Sequence, residues 1–531
     1  MRYPVETFTT EEEAILRPHF TNLDRPVFCL VNLPETVKGA LFARYSRYPG
    51  TLRRLFLEEF ADDVPEGGRP FDGAEGERAA GLYERVFMGY GDDSIAQVGG
   101  AHLACEWASN LLTKVLQRGR LAAYLEQSTR YIPYDQPLPG SAGRGYRYYR
   151  DERLGERYRA AMDELFEIYS RGLGTVQRWV EERWPRGEEP EGAWRRSVRA
   201  KALDLLRGLL PASTLSHVGI FASGQAYEQL LLRLMSSPLP EAREYGEMIV
   251  CELAKVIPSF VARVGRPDRG GEWIAYLRGR REATHRLVAR LGLDRPDRSD
   301  SPSVELIHVD GSEEDLLAAS LFESATVSDD SIRRRIGSLD PLERAALIAE
   351  LAGERPNRRH RPGRGWEAVR YRFEIVSDYG AFRDLQRHRL LTCQWQRLGP
   401  HLGAGIPEEV RAGGFGDHYA RALEISRAEF ERLESAGLSE AAPYALCLGY
   451  GIRFVLDLNA REAMHLIELR SGREGHPTYR AVAQAMYERI AAVHPAVARA
   501  MTHVDSSREP RLERILGEIR THRKRLATAH G

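Results

Sequence analysis

Hydrophobic and polar positions change period several times along the chain, and each change predicts an element. The sharpest change lies between residues 370 and 398. Tyr371, Phe373 and Ile375 alternate with Arg370, Arg372 and Glu374, the pattern of a half-buried strand. Asp378 follows as a helix N-cap, and Phe382 and Leu385 give that helix one apolar stripe. The helix is predicted to end at Arg387-His388-Arg389. A short buried strand is predicted over 25–34, closed by Pro34, with a helical segment from Pro34 to about Phe60. Leu154, Tyr158, Met162, Leu165, Tyr169, Leu173, Val176 and Val180 recur at three- and four-residue steps, a long amphipathic helix stopped by Trp184-Pro185. Helices are predicted to continue to about Leu291, punctuated by Pro211, Pro238, Pro240 and Pro258. A strand restarts over 304–309 and a helix over 316–322.

Residues 293–303, LDRPDRSDSPS, have no apolar period and the composition of a linker. The order of strand, helix, Arg-x-Arg stretch and helical region occurs on both sides of it, which predicts an internal duplication. The division is a first domain over 1–292, the linker over 293–303 and a second domain over 304–531 that ends in a basic, frayed tail, RTHRKRLATAHG. A chain of 531 residues with 43% hydrophobic residues can bury two cores. Lys+Arg and Asp+Glu balance at 76 each, which argues against a stable nucleic-acid partner. No apolar run is long enough for a membrane span, and Met1-Arg2-Tyr3-Pro4 leads into Glu11-Glu12-Glu13 instead of a signal peptide. Cys29, Cys105, Cys251, Cys393 and Cys447 are scattered with no CxxC pair, which fits a reducing cytoplasm and no metal site.

Candidate chemistry sits in two stretches. In Arg387-His388-Arg389, two guanidinium forks match phosphate oxygens, and the imidazole between them can donate to a ring carbonyl or nitrogen. Arg is abundant in this chain and Lys scarce, so the triplet also suits a solvated helix face. Residues 117–135, QRGRLAAYLEQSTRYIPYD, place Arg118 and Arg120 around Gly119, with Glu126, Ser128, Arg130 and Tyr131 behind them. Arg130-Tyr131 also reads as the start of an exposed edge strand.

Together these stretches resemble the flavin-dependent thymidylate synthase family. Its signature is Arg-His-Arg, five residues, then Glu-x-Ser-x-Arg-Tyr, and a later helix carries Asn-Ala-Arg and Leu-Arg. The first half resembles it over about 25–260. There Glu126-Gln127-Ser128-Thr129-Arg130-Tyr131 is intact, but Gly119 replaces the histidine, Ser223-Gly224-Gln225 replaces Asn-Ala-Arg, and Leu234 replaces the arginine of Leu-Arg. Arg207 matches a family arginine that contacts the nucleotide, and residues 91–97, GDDSIAQ, replace a His-rich turn. The second half resembles the family over about 304–490. It keeps Arg387-His388-Arg389, Asn459-Ala460-Arg461 and Leu469-Arg470. Trp395-Gln396-Arg397-Leu398-Gly399 replaces Glu-x-Ser-x-Arg, Pro443 stands where an arginine equivalent to Arg207 belongs, and Asp384 stands for a glutamine. The losses are complementary. Family sites lie between subunits, so the resemblance implies one complete composite site per chain.

The resemblance implies an α+β fold: two tandem domains, each a mostly antiparallel sheet packed with long helices. It implies reductive methylation of dUMP to dTMP, with carbon from methylene-tetrahydrofolate and hydride from NADPH by way of FAD. By the same resemblance the catalytic set is Arg470, Ser128 and Glu126. The substrate set is Glu126, Gln127, Ser128, Arg130, Arg207, Arg387 and Arg470. The flavin set is Arg387, His388, Arg389, Asn459, Arg461 and His465, and Arg461 and His465 share a helix face at i,i+4. A homodimer would reproduce the family's tetramer of single domains. Two alternatives are methylation of another pyrimidine nucleotide and a non-catalytic flavin- or nucleotide-binding descendant.

Overall fold

Alternation of apolar and polar residues builds two four-stranded sheets with the same plan. The computed structural model describes residues 3–64, 96–138, 145–297 and 302–529. The 91–94 turn and part of the 293–303 stretch lie outside the described residues. Strands β1 (Val27–Leu30), β2 (Gly100–Ser109), β3 (Ala122–Glu126) and β4 (Leu215–Ser223) form one sheet in the order β1-β2-β4-β3. Strands β5 (Ser303–Asp310), β6 (Arg370–Asp378), β7 (Leu391–Trp395) and β8 (Gly451–Asn459) form the other in the order β5-β6-β8-β7. All neighbouring pairs are antiparallel. The fold class is α+β, and the identical strand order makes the duplication a physical repeat.

The compact units interleave along the sequence. One comprises Met1–Ser170, Leu209–Pro296 and Glu424–Cys447; the other comprises Arg171–Gly208, Asp297–Leu423 and Leu448–Gly531. Each sheet is therefore grouped with a helical segment from the opposite half of the chain. In the first unit Tyr444 stacks on Tyr149 at 4.6 Å between ring centroids, and Ala212 N donates to Leu446 O at 2.7 Å. In the second unit Gly449 N donates to Gly208 O at 2.9 Å, and the buried Lys201 pairs with Glu513 at 2.7 Å.

Four expectations change. The stretch 34–60 is two helices, Glu35–Tyr45 and Leu52–Glu59, because Pro49-Gly50 breaks the run and Thr51 caps the second by accepting from Arg54 N at 3.2 Å. The helices expected up to Leu291 are interrupted by β4, which lies between β2 and β3 and is buried along nearly its whole length. Arg130 and Tyr131 lie in the turn after β3, not at a strand start. The basic tail is the helix Ile515–Ala529, tied down where Arg196 Nε donates to Glu518 at 2.6 Å.

The first unit also buries a carboxyl group. Glu241 accepts from Ser109 N at 2.8 Å, Ser109 Oγ at 2.6 Å and Tyr444 Oη at 2.6 Å. Burial pushes this group up to about 7, against the pull of those donors. A carboxyl raised in the folded state holds its proton more tightly than the unfolded chain does. Its stabilisation is complete below its ordinary value of 4.5 and is lost as pH rises through about 7. The loss is on the order of 3 kcal/mol. Wild-type thermal midpoints should therefore fall between about pH 5 and pH 8 by more than those of Glu241→Gln. Equal slopes in the two proteins would assign the pH dependence elsewhere.

Candidate active site

Two helix starts position the site in the second unit. Asp378 ends β6 and caps the helix Tyr379–Leu385, its Oδ1 accepting from Ala381 N at 2.7 Å. That helix stops at Leu385, so Arg387-His388-Arg389 leave a turn and not the helix itself. The turn leaves Arg387 and Arg389 exposed and His388 buried. On the neighbouring strand, β8 runs directly into the helix Ala460–Arg470, and Asn459 caps it by accepting from Glu462 N at 2.9 Å. The first turns of this helix carry Arg461, Glu462 and His465, and its last turn carries Arg470.

Three arginines gather round one carboxylate. Arg207 Nη1 donates to Asp384 Oδ2 at 3.2 Å, and Arg387 Nη1 lies 3.9 Å from Asp384 Oδ1. Arg470 feels the charges of both Asp384 and Arg387. Arg207 is only 3% exposed, and its Nη2 has no hydrogen-bond partner among the described residues. Gly380 permits this approach: a Cβ there would sit 3.2 Å from Arg207 Nε and Nη2 and 2.9 Å from Asp378 Oδ1. Burial raises the Asp378 carboxyl, and the charge of Arg207 pulls it back. With the carboxylates of Asp384 and Asp378 against three guanidiniums, the cluster keeps a positive balance and a spare donor, the makings of an anion site. Arg207 comes from the first half of the sequence and its partners from the second, and one unit contains them all.

A second chain of contacts runs behind this cluster. Arg470 Nε donates to His388 Nε2 at 3.0 Å, and His388 Nδ1 lies 2.9 Å from Glu462 Oε1. His465 Nδ1 lies 3.2 Å from Glu462 Oε2. Burial pushes His388 down to about 4 in spite of the carboxylate, so the ring is neutral at pH 7. Burial pushes Glu462 up, but the hydrogen bonds from both imidazoles outweigh it and bring the group down to about 2. His388, Glu462 and His465 also offer three metal-ligand donors within 4.8 Å of one another. The hydrogen bonds account for that approach by themselves, and the adjacent Arg470 disfavours a second positive charge. Both ring nitrogens of His388 are engaged here, so the ring does not face outward toward a ligand carbonyl.

The remaining candidates are distributed as follows. Arg389 is exposed, and the half-buried Arg461 donates from Nε to Pro362 O at 2.8 Å. In the first unit Glu126 is buried and accepts from Lys114 Nζ and Gln117 Nε2, each at 3.0 Å. Gln127 is also buried. Its amide donates to Tyr48 O at 2.7 Å and its carbonyl accepts from Arg147 at 3.2 Å, which anchors the loop that presents Ser128 and Arg130. Ser128 Oγ accepts from Arg130 N at 3.2 Å. Of the altered positions, Leu234 is core, and the room a side chain at Gly119 would need is taken by the Tyr124 hydroxyl, 2.6 Å from where a Cβ would stand. Sequence reasoning passes over Glu462, Lys114 and Asp378 as members of these clusters. Glu462 carries a misleading signal, since Asn459-Ala460-Arg461-Glu462 reads as a capping box.

The same antiparallel α+β plan occurs twice, and the second unit carries a cationic arginine cluster where three helices end. The family model described as thymidylate synthase complementing protein matches residues 57–259 and 317–496, and the chain belongs to that family, once in each half. Its function is accordingly thymidylate synthase-like, methyl transfer to a nucleotide. A UPF0159 protein of Chlamydia muridarum is 38% identical, over 98% of this chain and 99% of the relative. A UPF0159 protein of Thermoplasma acidophilum is 30% identical, over 92% of this chain and 99% of its own length. A solved structure of the UMP/dUMP methylase PolB from Streptomyces cacaoi bound with 5-Br dUMP is similar at 20% identity, covering 40% of this chain and 99% of that one with a TM-score of 0.32. Among the described residues no helix is long and apolar enough to cross a membrane.

Proposed function

We propose that the protein is an FAD-dependent thymidylate synthase that methylates dUMP to dTMP with methylene-tetrahydrofolate and NADPH. Family membership supports the class. The observation that carries the substrate is the buried Arg207, paired through Nη1 and holding a spare Nη2, beside Arg387 and Arg470. Arg207 and Arg130 bind the phosphate, and Ser128 orients the nucleotide. Arg470 stabilises negative charge as the uracil ring gains electron density at C5. Glu126 and Gln127 hold the Ser128 loop in place. One complete residue set per chain is drawn from both halves, and a homodimer is the proposed assembly.

The donors of the second unit suit a flavin dinucleotide. Arg389 is exposed, and Arg461 spends its Nε on Pro362 O while its Nη1 lies 3.9 Å from Glu367 Oε1, a loose pairing that a bound anion would displace. Arg387, Arg389, Asn459, Arg461 and His465 would hold FAD, which supplies the hydride chemistry when bound. The purified protein should be yellow with about one FAD per chain, and Arg389→Ala and Arg461→Ala should bleach it. A colourless wild type that FAD cannot reconstitute refutes the reading. Asp384, where the family has glutamine, favours a second reading in which another pyrimidine nucleotide is methylated. Turnover of dUMP against UMP and dCMP decides between them.

A further inference from the structure

We infer that His388 and Glu462 are positioning residues that hold the Arg470 guanidinium in its working orientation, with Glu462 fixing the tautomer of His388. The inference rests on the reading of this cluster as the nucleotide site.

The direction of both hydrogen bonds to His388 is forced. Arg470 Nε carries a hydrogen and has nothing to accept with, so His388 Nε2, at 3.0 Å, must present a lone pair. The ring proton is then on Nδ1 and is donated to Glu462 Oε1 at 2.9 Å. The opposite tautomer would set two N–H groups head to head at Arg470 and two lone pairs together at Glu462. An ionised carboxylate behind a neutral imidazole is therefore what selects the acceptor that Arg470 requires. His465 takes the second oxygen of Glu462 at 3.2 Å and so limits rotation of the carboxylate. The groups facing His388 are Glu462, Arg470 and His465 from the Ala460–Arg470 helix, with Arg387 adjacent in its own turn.

A neutral acceptor suits an arginine with work to do. The same unit contains an arginine with none of that duty. Arg355 is clamped by both oxygens of Glu468, at 2.7 and 2.6 Å, with both side chains almost fully buried. Such a bidentate pair spends most of the fork and cancels the charge on the spot. Arg470 is held at Nε by an uncharged ring instead, and Asp384, which supports its charge, is shared with Arg207 and Arg387, so part of that charge stays available to a substrate. The carboxylate that fixes the arrangement is kept one imidazole away from the guanidinium that must face negative charge.

The first test uses the wild-type protein. Histidine selectively labelled with 15N should show His388, assigned by its disappearance in His388→Leu, protonated on Nδ1 and bare on Nε2. The Nε2-protonated tautomer overturns the inference whatever the variants do. The second test is kinetic. Glu462→Gln keeps the shape but loses the charge and can donate as readily as accept, so the tautomer is held from the Arg470 side alone. Turnover of dUMP should fall about 10- to 100-fold, the scale of a misplaced catalytic group. Flavin content and the KM for dUMP should change far less, and Glu462→Asp should restore part of the loss. Unchanged kcat in both Glu462→Gln and His388→Leu overturns the inference, as does a kcat loss that tracks loss of bound FAD. Retained turnover in Arg470→Ala would instead refute the active-site reading, and the tautomer measurement stands apart from both.

Discussion

Arg470→Ala should lower the kcat for dUMP by about a hundredfold or more, the scale seen when one preorganised donor to a developing anion is removed. Arg470 is half-buried, and the desolvation of its guanidinium pushes the pKa down while the nearby Asp384 supports the charge. It also lies over the Tyr479 ring at 5.5 Å, a second contact that restrains its plane. A donor set in a water-poor site needs little reorganisation when charge appears on the substrate, which is why its loss shows in turnover more than in binding. Steady-state kinetics with dUMP checks this. A kcat within a few-fold of wild type would remove Arg470 from the chemistry.

Arg207→Ala should act on binding instead. Truncating one member of a buried charge pair costs roughly 2–5 kcal/mol, or about thirtyfold and upward in affinity. The loss has two sources here. The phosphate loses the fork, and Asp384 loses its 3.2 Å partner. Arg207→Lys should recover the charge but not the bidentate geometry, and so fall between the two. Calorimetric titration with dUMP reads the difference. Arg397→Ala, an exposed residue at an altered family position, serves as the comparison and should bind as wild type does. Equal damage from Arg397→Ala and Arg207→Ala would refute the assignment of one residue set per chain.

The strands and helices with a clear period were legible. β6 and its capped helix stand where the alternation of Tyr371, Phe373 and Ile375 and the N-cap Asp378 put them. β4 could not be read that way. Its residues are covered on both faces, so apolar and polar positions do not alternate, and a short apolar run suits a helix equally well. β8 alternates apart from Val455, with Ile452, Phe454, Leu456 and Leu458 against Arg453 and Asp457, and is recoverable by period. Site residues divide along the same line. The Arg387-His388-Arg389 triplet is a local signal. The pairing of Arg207 with Asp384 joins residues 177 positions apart, and no local pattern reports it. Glu462 was hidden by its own cap: its backbone N–H satisfies Asn459, while its side chain turns to two histidines that a capping box would not involve.

The interleaving of the two units sets an order on biosynthesis. Lys201 is made early, yet its carboxylate partners Glu409 and Glu513 follow 208 and 312 residues later. Gly208 waits in the same way for Gly449. Closing contacts over such separations is slow, because the loop entropy is lost before the contacts form. The 171–208 segment therefore emerges from the ribosome ahead of its partners, which run from Asp384 and Phe415 to His476 and Glu513. Translation that stops at the 293–303 stretch leaves Lys201 without its counter-ions and the segment without the partners that cover it, so the first half alone should misassemble.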